Sequence, residues 1–69
     1  MKRQTAWVGF YKAMKEIQEC ERIVKAEGHD CSVRTRRSMA EKRAYKYAKA
    51  LVMEHGWRDK HTEKFIKVV

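Results

Sequence analysis

Between Trp7 and Val24 the large apolar side chains fall on one stripe. Trp7, Phe10, Met14, Ile17 and Val24 recur at spacings of three, four or seven, and Ala13 and Cys20 lie beside them. Lys12, Lys15, Glu16, Glu19 and Arg22 occupy the other side. This is the 3.6-residue period of an amphipathic helix. Thr5 is the expected N-cap and Gly28 sits where a C-terminal cap belongs, which predicts a helix over about 5–27. Such a helix is roughly 34 Å long. Lys12–Glu16, Lys15–Glu19 and Glu21–Lys25 are potential i,i+4 pairs, each contributing a few tenths of a kcal/mol. Gly9 costs about 1 kcal/mol relative to alanine, so within this pattern it marks either a close approach or a later helix start. A helix this long is unusual for a chain of 69 residues, and the absence of proline favours a mostly helical protein with a second helix.

That second helix is signalled by Ser38-Met39-Ala40-Glu41, a capping box in which the serine hydroxyl and the glutamate satisfy each other's backbone N–H groups. It predicts a helix over 38–55, stopped by Gly56. Ala40, Ala44, Ala48, Leu51, Val52 and His55 make one face, with Tyr45 at its edge. Small residues on that face admit the bulky stripe of the first helix at short range. Residues 29–37 read as a loop, with Val33 and Thr35 allowing an extended piece at 31–35. The tail is ambiguous. Phe65, Ile66 and Val69 fit a short helix, whereas the run Phe65 to Val69 fits a strand equally well. The expected fold is mainly all-α: two antiparallel helices at about 5–27 and 38–55, plus a short C-terminal helix or strand at about 59–68, in one domain.

A chain this short buries only about 60% of its unfolded surface. Two helices do not cover Trp7, Val8, Phe10 and Tyr11 together, so either the tail or a second copy in a homodimer is expected to complete the core. No run of about 20 apolar residues is present, so no membrane span is expected. The N-terminus lacks a secretory apolar segment, and the two cysteines, Cys20 and Cys31, read as reduced thiols in a cytoplasmic protein. Cys20, His29, Cys31 and His55 lack the paired spacing of a zinc site. No carboxylate pair, phosphate-cradling glycine loop or plausible triad is visible, so neither an enzyme nor a cofactor is expected.

The charge is concentrated. Residues 34–49 hold seven basic side chains against one acid, Glu41, whereas residues 1–33 carry six basic and five acidic, and 50–69 carry four and three. A basic run without interspersed acids favours an anionic partner over a merely solvated face. The expected nucleic-acid-binding residues are Arg34, Arg36 and Arg37 in the loop, then Lys42, Arg43, Lys46 and Lys49 along the helix, with Tyr47 placed to stack on a base. Nothing discriminates DNA from RNA, and nothing marks a base-reading code. The Ala- and Lys-rich helix resembles the last helix of double-stranded-RNA-binding domains over about a quarter of the chain. The three strands that such a domain needs before that helix are not visible, and a helix-turn-helix across Gly56 would have a weakly basic second helix. The alternative is a small interaction protein, of the kind phages and mobile elements encode, that docks on an acidic protein and inhibits or recruits it. Val8, Tyr11, Ile23, Met39 and Met53 would then be its anchors.

Overall fold

The computed structural model describes residues 1–66. Three helices follow in order: α1 (Arg3–Glu27), α2 (Cys31–His55) and α3 (Lys60–Phe65). There is no strand among the described residues. α1 and α2 form an antiparallel hairpin across a tight turn at Gly28, His29 and Asp30. Gly28 takes the positive φ of 89° that ends α1, and the Asp30 side chain opens α2 by accepting from the Ser32 N–H at 3.1 Å.

The seam between the long helices is built from Ala6, Phe10, Ala13, Ile17 and Cys20 of α1, all buried. Their spacing alternates four and three, the pattern that keeps one stripe facing a partner helix. Ala40, Ala44 and Ala48, each fully buried, with Leu51 and Val33, face them from α2. The alanines let the backbones approach closely, and Gly9 takes this furthest: a Cβ there would overlap the ring of Tyr47. The glycine is therefore a packing residue, as its cost within a helix suggests. Trp7, expected in the core, is instead 40% exposed. An alanine-lined seam has no room for an indole, so Ala6 enters the seam and Trp7 turns to the edge, where its ring lies 5.4 Å from Trp57.

Two predicted helix starts are corrected. α1 begins at Arg3, before Thr5, because tertiary contacts hold the chain's start. The Met1 ammonium donates to Glu54 at 2.8 Å, and His55 Nε2 lies 2.8 Å from the Met1 carbonyl oxygen as its donor. α2 begins at Cys31, so residues 31–37 are helical rather than loop or extended. Ser38 therefore lies mid-helix and caps nothing, and Glu41 instead accepts from Arg37 Nε at 3.0 Å. The Thr35 hydroxyl donates to the Cys31 carbonyl at 2.9 Å, which lets this β-forming residue sit within the helix.

α2 ends at Gly56 (φ 67°), and the Trp57 N–H reaches back to the Leu51 carbonyl at 2.9 Å, closing a Schellman-type turn. Asp59 then caps α3 in a reciprocal box with Thr62. Thr62 and Ile66 are buried, and Phe65 meets Phe10 edge to face at 5.6 Å. The tail is thus helical over Lys60–Phe65 and closes one side of the hairpin. The helix or strand proposed for Lys67, Val68 and Val69 lies outside the described residues.

Candidate nucleic-acid interface

With α2 starting at Cys31, all seven basic residues of 34–49 stand on one continuous helix of known phase. At 3.6 residues per turn, Thr35, Met39, Lys42, Lys46, Lys49 and Met53 form a single outward stripe opposite the alanines. All six are exposed. Arg34 and Arg43 are exposed on its flanks. An open groove at the N-terminal end of this face is lined by Cys31, Arg34, Thr35, Ser38, Met39 and Lys42.

The structure separates the seven cations into two groups. Arg36 and Arg37 lie toward α1. Arg36 directs Nε and Nη2 at one oxygen of Glu16, at 3.0 and 2.8 Å. The hydrogen bond and the charge of Glu16 hold its guanidinium still more firmly protonated than usual. Arg37 bridges Glu21 of α1 at 3.1 Å and Glu41 of its own helix at 3.0 Å. These pairs are half exposed, so they contribute little to stability. Their fixed partners, 20 and 16 residues away, do specify how the two helices are aligned. In contrast, Arg34, Lys42, Arg43, Lys46 and Lys49 have no carboxylate within ion-pairing distance among the described residues.

Tyr47 is also drawn into the fold. It is half-buried, packed against the core with its ring on Gly9, so that side of the ring is not open to a base. Sequence reasoning missed that Glu16 and Glu21 serve arginines on the other helix, leaving Lys12 and Lys25 without the i,i+4 partners expected for them. Glu19 likewise pairs with Arg22 at 2.9 Å, and the Lys15 ammonium sits 5.4 Å from the Tyr11 ring centroid. Only the relative placement of the helices could reveal the exchanges of Glu16 and Glu21, whereas Glu19–Arg22 and Lys15–Tyr11 are pairs three and four residues apart within α1.

Cys20 is buried within the seam and Cys31 is exposed at the start of α2. No helix of the described residues is long and apolar enough to cross a membrane. No protein-family model, curated protein or solved structure matches this chain.

Proposed function

We propose that the chain is a small nucleic-acid-binding module whose contact surface is the outward face of α2. The observation that carries this reading is the uncompensated charge of Arg34, Lys42, Arg43, Lys46 and Lys49 on one rigid helix. Fixed cations of one sign, spaced over consecutive turns, suit a phosphate backbone and release its condensed counterions on binding. Arg36 and Arg37, expected in the contact from sequence, are engaged with Glu16, Glu21 and Glu41 and are left outside the proposed track. Recognition through this face is phosphate-directed and largely independent of base sequence.

Fluorescence anisotropy with random duplex and single-stranded oligonucleotides across a salt series tests the proposal. If all five cations contact phosphates, the slope of log K against log salt on duplex DNA is roughly −4 to −5. Changing Lys42, Lys46 and Lys49 together to alanine should weaken binding to every sequence alike and reduce that slope by roughly three. Salt-insensitive binding, or a slope untouched by the triple change, excludes the proposal.

A second reading rests on Met39 and Met53, exposed by 55% and 67% at the two ends of the lysine stripe. Flexible thioethers beside lysines suit an acidic protein surface better than a phosphate track. It predicts that Met39→Ser with Met53→Ser abolishes a stoichiometric protein complex while leaving nucleic-acid affinity unchanged.

A further inference from the structure

The outward face of the first half of α1 carries a patch that nucleic-acid binding through α2 does not use. Trp7, Val8 and Tyr11 are exposed by 40%, 46% and 58%. Together with Lys12 and Lys15 they line a shallow, open and mainly apolar groove. Its charge has one sign: residues 1–15 contain Lys2, Arg3, Lys12 and Lys15 and no acid. The nearest following acids are engaged elsewhere, Glu16 by Arg36 and Glu19 by Arg22.

The occupant follows from that rim and from the state of the rings. A second copy meeting this patch across a two-fold axis would bring together two lysine-bordered surfaces with no acid in residues 1–15 to receive them, and like charges at an interface are unfavourable. A nucleic-acid base needs an open aromatic face. One face of the Tyr11 ring already carries the Lys15 ammonium, and Trp7 lies near Phe10, at 6.1 Å, and against Trp57, so neither ring offers both faces to a base. What remains is Val8 and the uncovered parts of two rings, bordered by cations.

We propose that this patch docks an acidic amphipathic helix of a partner protein. Apolar side chains at i, i+3 or i+4 and i+7 of that helix lie on Trp7, Val8 and Tyr11, and its carboxylates face Lys12 and Lys15. The buried faces of α1 and α2 are turned toward each other, so this patch and the lysine stripe of α2 point away from each other. The chain can hold a partner on each side, and the α1 site does not depend on what α2 binds.

The test is selection from a displayed library of random 16-residue peptides on the full chain, counter-selected against the Val8→Asp variant. Circular dichroism establishes that each variant remains folded. The expected result is convergence on sequences with apolar residues at helical spacing flanked by aspartate or glutamate. A synthetic peptide of that sequence should bind one to one by calorimetry and shift the tryptophan emission. Its affinity should fall at least ten-fold with Lys12→Glu plus Lys15→Glu, and stay unchanged with Lys42, Lys46 and Lys49 changed to alanine. Enriched peptides without acidic residues, or no enrichment over the Val8→Asp variant, would overturn the proposal. So would Val8→Asp abolishing a concentration-dependent dimer in sedimentation, binding to an oligothymidine, or binding to phosphatidylserine vesicles, since each identifies a different occupant. Failure of the α2 face to bind nucleic acid leaves a positive peptide result standing.

Discussion

Two residues show how much a single position decides in a seam this narrow. Gly9 faces the Tyr47 ring with no space for a methyl group. Gly9→Ala gains about 1 kcal/mol of helix propensity but forces the half-buried ring outward, and overpacking typically costs about 1–3 kcal/mol. The expected net effect is a loss of stability in urea denaturation. In a Tyr47→Ala background the same change should become stabilising, so the double-mutant cycle reports a coupling of roughly 1–3 kcal/mol. Additive effects would show that the ring and the glycine are independent. Asp59 is the second case. Its carboxylate accepts from the Thr62 and His61 N–H groups at 2.9 Å and from the Trp57 indole at 2.8 Å. The Thr62 N–H above all holds its carboxyl below the usual range, against a smaller opposing effect of burial. A depressed folded pKa stabilises fully above the ordinary aspartate value of 3.8 and loses that contribution as pH falls through the folded value. Asp59→Asn keeps a neutral cap. Its melting temperature should therefore lie below wild type near pH 6, with the gap closing below the ordinary value. A pH-independent gap would remove Asp59 as the titrating group.

The elements explain both what was legible and what was not. The existence and the ends of two long helices could be read from the apolar stripe of α1, the alanine face of α2, and the stops at Gly28 and Gly56. The start of α2 could not. The capping box at Ser38 is a strong local start signal, whereas Asp30, within the stretch read as a loop, is the N-cap the fold uses. Val33 and Thr35 between arginines also read as extended chain. Tertiary contact decided for Asp30: Val33 is buried against α1, while Glu16 and Glu21 take Arg36 and Arg37. The candidate site was legible as a list of cations but not in its division, because that depends on the acids of the other helix. The division is testable. Arg36→Ala with Arg37→Ala should lower thermal stability slightly and leave the salt slope of nucleic-acid binding unchanged. An equal loss with Lys46→Ala plus Lys49→Ala would place the two arginines in the contact surface.

At the scale of the whole molecule, the described chain spans 38 × 26 × 16 Å, little more than the length of one long helix and thin across the hairpin. α3 covers one side, through Phe65 and Ile66, and the outward faces of both long helices stay open. Thinness places every surface within a few turns of the interhelix seam, so binding at either outward face acts on a hairpin with little mass behind it. Cys20 has no exposed surface and Cys31 is exposed, and the two lie on opposite helices near the turn. A maleimide therefore meets one thiol at once and the other only when the hairpin parts. The ratio of the two labelling rates, read by mass spectrometry, is a clock for hairpin opening with its own internal standard. A ligand that clamps α1 to α2 away from the groove that Cys31 lines slows the second event without touching the first.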